Sequence, residues 1–179
     1  MSTGSYIPQI DEIYRLPFSK NDNPNGWVEI TTVCNLSCPG CYRGCDRPDI
    51  NELHKSLEDI KNEIIELERI RNCDIISISG GEPFLHPDLL EIVKFVRDKG
   101  MQPFVHTNGT FLKPEILRSL KDAGLLGLIV RVDSLRSPEK KQSEKQLNKM
   151  RQKYAKMIKE IGGIHLSFIS VVGKKMSRR

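Results

Sequence analysis

Five short apolar runs rich in β-branched residues alternate with longer segments whose apolar residues recur every three or four positions. The runs are "WVEITTV" (27–33), "DIISIS" (74–79), "PFVHT" (103–107), "LLGLIVRVD" (125–133) and "IHLSFISVV" (164–172). Bounded by Gly, Pro, Asn and Asp, they read as strands. Between the first two, "NELHKSLEDIKNEIIELERI" (51–70) sets Leu53, Leu57, Ile60, Ile64 and Leu67 on one helical face, with Asn51 as its N-cap. "PDLLEIVKFVRDKG" (87–100) is a helix with Pro87 near its start and Gly100 as its stop, and "PEILRSLKDAG" (114–124) also ends on glycine. The fourth helix, "SEKQLNKMRQKYAKMIKEIGG" (143–163), lines up Leu147, Met150, Tyr154, Met157 and Ile161 as a core-facing stripe.

Strict alternation of strand and helix with short links predicts an α/β fold. It is a parallel sheet of about five strands with right-handed crossovers and helices outside it. Either an open doubly wound sheet or an arc of a (β/α) barrel satisfies this pattern, and in both ligands gather at the carboxyl ends of the strands. The unusual residues fall on that rim. Four cysteines follow the first strand, "GGEP" (80–83) the second, "TNG" (107–109) the third and "DS" (133–134) the fourth.

Composition narrows the setting. The first residues, "MSTGSYIPQIDEIYRL", lack the basic-then-apolar order of a secretory signal, and no stretch approaches the roughly 18 apolar residues of a membrane span. A cytoplasmic location is expected, where thiols stay reduced and clustered cysteines more often hold metal than pair. The net charge of +5 is concentrated in 137–160 and in "GKKMSRR" (173–179). Glutamates alternate with these basic residues and no aromatics interleave, so a solvated helix face is expected and a nucleic-acid partner is not. The chain divides into a lead-in (1–26) ending in "KNDNPNG", a core (27–172) and a basic tail (173–179).

Cys34, Cys38 and Cys41 stand as Cys-x3-Cys-x2-Cys, with Cys45 just beyond. Thiolates ligate iron–sulfur clusters and structural zinc. Three of them leave a coordination position open for chemistry, whereas Cys45 as a fourth would close a structural zinc or iron–sulfur site. Cys73, before the second strand, reads as a buried free thiol.

The cysteine triplet after strand one, joined to Gly80-Gly81-Glu82-Pro83 after strand two, resembles the radical S-adenosylmethionine (SAM) superfamily over about residues 27–172. The resemblance implies a partial (β/α) barrel, a [4Fe–4S] cluster on Cys34, Cys38 and Cys41, and SAM bound at the iron they leave free. It implies reductive cleavage of SAM to methionine and a 5′-deoxyadenosyl radical that abstracts hydrogen from a substrate, with an oxygen-sensitive cluster. A flavodoxin- or ferredoxin-like electron donor is implied as a partner. The substrate is unassigned, and a protein or peptide is one class the family admits.

Gly80, Gly81, Glu82 and Pro83 match the segment that takes the SAM amino group. Paired glycines admit the ligand to the backbone, and Glu82 can accept from an ammonium. Further SAM contacts implied by position are Gly40, where the family often has an aromatic residue, and Tyr42, Asn108, Arg131, Asp133 and Ser134. Asn108 reads equally as a turn residue. Arg131 shares the face of Asp133 by the strand period and can pair with it or with an anion. His106 reads as an interior histidine, and His54, His86 and His165 receive no role. The last strand lacks a clear Gly-x-Ile-x-Gly-x-x-Glu pattern, and there are five strands where the family usually has six. A four-thiolate metal protein and a truncated, inactive core therefore stand as alternatives to an enzyme.

Overall fold

The computed structural model describes residues 25–47, 49, 51, 53–136 and 142–171. The basic tail and the lead-in up to residue 24 lie outside the described residues, and Asn25 and Gly26 already belong to the first strand. The elements are β1 (Asn25–Thr31), α1 (Leu57–Arg71), β2 (Ile75–Gly80), a 3-10 turn (Pro83–Leu85), α2 (Leu89–Asp98), β3 (Gln102–Thr107), α3 (Pro114–Asp122), β4 (Gly127–Arg131), α4 (Glu144–Ile161) and β5 (His165–Ile169). All four strand pairings are parallel, in the order β1-β2-β3-β4-β5. A doubly wound sheet reverses its order at a switch point; this one never does, so crossovers of one hand stack every helix on the same face. The result is an arc of a (β/α) barrel.

Strand alternation separates the two faces of the arc. Val28, Ile30, Ile76, Ile78, Val105, Leu128 and Val130 face the helices and meet Ile60, Ile64, Ile92, Val93, Val96, Leu117, Leu120 and Leu147, each 2% exposed or less. This apolar layer is the main stabilising element, because burying each such side chain is worth about 1.5–3 kcal/mol before entropy is subtracted. The residues between them, Trp27, Glu29, Ser77, Ser79, Phe104, His106, Ile129 and Arg131, take the concave face. Ser77 and Ser79 are small, and above β2 the rings of Trp27 and His106 meet with centroids 4.4 Å apart. Gly127 pairs with Phe104, whose ring occupies the space a Cβ would need. On the edge strand β5, Leu166 and Phe168 pack on the core while His165, Ser167 and Ile169 are exposed.

The first helix begins later than its apolar spacing suggests. Ser56, not Asn51, is the N-cap, and its Oγ accepts from the Asp59 N–H at 3.1 Å. Residues 53–55 are spent on the sheet edge instead. The Thr32 N–H donates to the Leu53 carbonyl (3.0 Å), the Lys55 N–H donates to the Ile30 carbonyl (2.9 Å), and Thr31 bridges His54 in antiparallel fashion. An extended strip that satisfies an open strand edge outcompetes one more helical turn, and it leaves Leu53 off the helix and 46% exposed. The fourth helix starts as expected, on a Ser143–Gln146 capping box.

Replacing Ser56 with Ala is expected to lower unfolding free energy by about 1 kcal/mol. Asn51→Ala should stay within about 0.5 kcal/mol of the parent. Urea denaturation of both variants checks this, and the reverse order would return the cap to Asn51.

Candidate functional site at the carboxyl rim

The paired glycines are required first by the chain itself. A Cβ on Gly80, whose φ is +142°, would strike the Thr31 carbonyl oxygen, and one on Gly81 would strike that of Val33. Without side chains there, the Gly81 N–H donates to Thr31 O (2.7 Å) and the Glu82 N–H to Val33 O (2.9 Å). The segment after β2 is thus stitched to the three residues that lead into Cys34.

Glu82 is fully buried. Its Oε1 accepts from Thr107 Oγ1 (2.7 Å) and the Phe84 N–H (3.2 Å), and its Oε2 accepts from the Asn108 N–H (2.8 Å). Burial pushes the carboxyl pKa above its ordinary value; the three hydrogen bonds and the Arg136 charge act against that rise. Its carboxylate therefore joins the end of β2 to the end of β3, and Pro83 is buried behind it in the 3-10 turn. A further tie closes the rim. Asn108 Nδ2 donates to Asn35 Oδ1 (2.8 Å), Asn35 Nδ2 donates to Thr110 Oγ1 (3.0 Å), and Asn108 Oδ1 accepts from the Thr110 N–H (2.9 Å). Asn35 is the neighbour of Cys34, so the β3 loop grips the cysteine loop directly.

Cys34, Cys38 and Cys41 line one cavity of about 150 Å³. Cys38 is buried, and its thiol donates to the Arg136 carbonyl at 3.2 Å. Burial pushes the Cys34 and Cys38 thiols above their ordinary pKa, and Arg131 opposes this at Cys38. Cys45 lies outside the cavity lining, with its thiol donating to Thr32 O at 3.7 Å. Gly80, Gly81, Asn108, Arg131 and Tyr42 share the cavity wall. Tyr42 is mostly exposed but brings its hydroxyl within 3.2 Å of Ser79 Oγ.

Asp133 does not reach the cavity lining. It is 1% exposed and is occupied by Arg131 Nε (2.7 Å) and by the N–H groups of Leu135 (2.8 Å) and Val171 (3.1 Å). Burial alone would raise its carboxyl pKa, but these partners outweigh it and hold the value below the usual carboxylate range. Arg131 is thereby fixed against the cavity. Ser134 follows, half-buried and away from the lining, and Gly40 is exposed, donating its N–H to Asp46 Oδ2 at 3.0 Å.

Sequence reasoning passed over Trp27, Leu36, Ser79, Ile129, Ile169 and Arg136, all of which line the cavity. Trp27, Ser79 and Ile129 were within reach, because they share the concave parity of Arg131. Arg136 sits on an irregular loop and carried no such signal. His106 is partly interior, as read, and also lines the cavity. Burial depresses its pKa to about 4, and Nε2 is shut from solvent without a hydrogen-bond partner.

The donor set fits a polynuclear centre. A single tetrahedral zinc draws four sulfurs to within about 4 Å of one another, given Zn–S of about 2.3 Å. Here Cys38 reaches across to Arg136 while Cys45 turns to Thr32. Among the described residues no three His, Cys, Asp or Glu side chains converge on one metal-ion position. Three thiols around a cavity that also presents glycine backbone and an arginine suit a cluster with a ligand beside it.

A family model described as Radical SAM superfamily matches residues 28–178. Fe-coproporphyrin III synthase of Methanosarcina barkeri is 37% identical over 127 residues, covering 70% of this chain and 31% of that protein. The 7,8-dihydro-6-hydroxymethylpterin dimethyltransferase of Methanocaldococcus jannaschii is 33% identical over 142 residues, covering 75% and 27% respectively. The chain spans about a third of the length of the curated relatives it matches. Among solved structures, BtrN in complex with AdoMet and 2-DOIA superposes with TM-score 0.55 at 23% identity, over 82% of this chain and 58% of that one. Streptococcus suis SuiB bound to the precursor peptide SuiA gives TM-score 0.62 at 14% identity, over 88% and 35%. These two likenesses concern the fold. With the family model matching residues 28–178, and the cysteine and glycine segments meeting at one cavity, the chain belongs to the radical SAM superfamily.

Proposed function

We propose that this chain is the SAM-cleaving core of a radical enzyme, with Cys34, Cys38 and Cys41 holding a [4Fe–4S] cluster and SAM bound in the cavity beside them. The carrying observation is that the three thiols and the Gly80–Gly81 backbone line the same cavity. The general reaction of the family supplies the chemistry: an electron from the reduced cluster splits a C–S bond of SAM, giving methionine and a 5′-deoxyadenosyl radical that abstracts hydrogen from substrate.

The chain's own residues bind and orient. Gly80 and Gly81 bring backbone close to the ligand. Glu82 acts from beneath, holding Thr107 and Asn108 in register with the cysteine loop. Asn108, Arg131 and Tyr42 offer polar contacts from the remaining walls, and Arg131, with two N–H groups engaged by Asp133, presents a fixed cation suited to a carboxylate. Gly40, Pro83, Asp133 and Ser134 contribute by shaping the loops. Trp27, His106 and Ile129, deeper on the concave face, are left to meet the substrate.

A flavodoxin- or ferredoxin-like protein as electron donor and a cytoplasmic setting complete the reading. All five cysteines are free thiols, and among the described residues no helix is long and apolar enough to cross a membrane. The working unit is the core of residues 27–172, extended at its start by Asn25 and Gly26 of β1.

Anaerobic reconstitution should load about four irons and four sulfides per chain. Dithionite and SAM should then release 5′-deoxyadenosine. Ala at Cys34, Cys38 or Cys41 should abolish both, while Cys45→Ala should keep both. One tightly held zinc per chain, lost in Cys45→Ala, would establish the closed four-thiolate site instead, and a loaded cluster that leaves SAM intact would establish an inactive core.

The buried histidine adds a pH signature. With a folded pKa of about 4 against about 6.5 when unfolded, only the unfolded chain takes up this proton between those values. Stability contributed by neutral His106 is present above about pH 6.5 and falls as pH drops toward about 4. His86, also depressed by burial, acts in the same direction. The urea midpoint of the wild type should fall between pH 7 and pH 5, and that of His106→Phe should fall less; equal falls would remove His106 from the effect.

A further inference from the structure

Arg131 and Arg136 line the cavity, and among the described residues no aspartate or glutamate does. Arg131 is paired with Asp133, but Arg136 has no such partner. It is 6% exposed, and among the described residues its side chain makes one long hydrogen bond, from Nη1 to the Arg131 carbonyl at 3.4 Å, and no ion pair. Glu82, whose charge it feels, spends both oxygens on Thr107, Phe84 and Asn108. Guanidinium N–H donors buried with so little to meet them cost free energy until an acceptor arrives. The Cys38 thiol on the Arg136 carbonyl anchors the backbone of this residue beside the cysteine loop, at 3.2 Å. A second observation is independent of the first. Trp27, the only tryptophan of the chain, lines the same cavity with 45% of its surface exposed, braced by the His106 ring. Ile169, also in the lining, is exposed to the same extent. Apolar surface left uncovered inside a cavity is surface for a ligand.

We propose that the substrate is a flat, conjugated molecule bearing an oxyanion, with its ring system against the Trp27 indole and its carboxylate or phosphate held by Arg136. The inference rests on the SAM-cleaving role proposed above and names the substrate class of that site. An indole is a broad, rigid π-surface, and a planar ring lying on it keeps more atoms in contact than a puckered one. The guanidinium is planar too, and its fork of N–H groups takes two oxygens of a carboxylate or phosphate side by side. A neutral substrate would shut those donors from water and give them nothing, so the cavity selects against it. Arg131, pinned by Asp133, is left for the carboxylate of SAM. The two arginines thus divide between the two ligands.

The direct test is isothermal titration of 2-naphthoate into the full chain, anaerobically reconstituted and saturated with SAM. One site with a Kd of about 1 mM or tighter is expected. The same titration with 2-naphthyl phosphate runs alongside, and the tighter of the two names the oxyanion. 2-Naphthamide, flat but neutral, and decahydro-2-naphthoate, charged but not flat, should each bind about tenfold more weakly. The indole N–H resonance of Trp27 should shift as 2-naphthoate is added. Arg136→Met should weaken 2-naphthoate about tenfold, Arg136→Lys less, and Trp27→Leu about fivefold. An amide or a saturated acid that binds as tightly as 2-naphthoate, an unmoved Trp27 resonance, or no saturable heat would overturn the proposal, and these comparisons on the wild type need no variant to fold. Loss of SAM affinity in Arg136→Met, with 2-naphthoate binding intact, would assign this cation to SAM and overturn it as well. Should the chain never take up iron and sulfide, the SAM-cleaving reading fails on its own, and the same titrations into the purified chain still decide whether Trp27 and Arg136 hold a flat anion.

Discussion

The rim of this molecule depends on one buried carboxylate. Glu82 lies with no exposed surface between the ends of three strands, its N–H on Val33 and its oxygens shared by Thr107, Phe84 and Asn108. A carboxylate placed there without partners would cost several kcal/mol, so its hydrogen bonds are a condition of the fold at that point. The carboxylate ties the glycine segment to the end of β3 through Thr107 and Asn108, and the backbone N–H of the same residue ties that segment to Val33 at the entry of the cysteine loop, so one residue holds all three relative to one another. The Asn35–Asn108–Thr110 contacts repeat the constraint on the solvent side.

The two faces of the arc divide stability from chemistry. The convex face is closed mainly by aliphatic side chains from four helices, and the hydroxyl of Tyr154 within it donates to the Gly109 carbonyl. The concave face carries serines, an arginine, a histidine and aromatics, and Trp27, Ser79, His106 and Arg131 among them line the cavity. Arg131 shows how such a residue is held. Asp133, saturated by two backbone N–H groups as well, pins the guanidinium against the cavity without itself entering it.

The sheet and its helices were legible because every strand alternates or runs apolar and every helix repeats at its own period. The start of α1 was not, since residues 53–55 satisfy the edge of β1, a demand made by a strand far away in sequence. Cysteine and glycine positions marked the rim, but not what their neighbours do there. Glu82 and Asp133 read as ligand contacts from position alone; the structure places both carboxylates below the cavity, bonded to backbone and side-chain groups whose proximity no local pattern discloses. Trp27 and Ile129 could be reached through strand parity. Arg136 could not, because an irregular loop has no period to read.

If Glu82 organises the rim, Gln in its place keeps the backbone N–H on Val33 but sets an amide NH2 against the N–H and O–H donors of Asn108 and Thr107. The measurement that tests this most directly is isothermal titration of SAM into anaerobically reconstituted wild type and Glu82→Gln, with iron counted in each. Equal iron content and a Kd at least about tenfold weaker, equivalent to about 1.4 kcal/mol, is the predicted result. An unchanged Kd would contradict it.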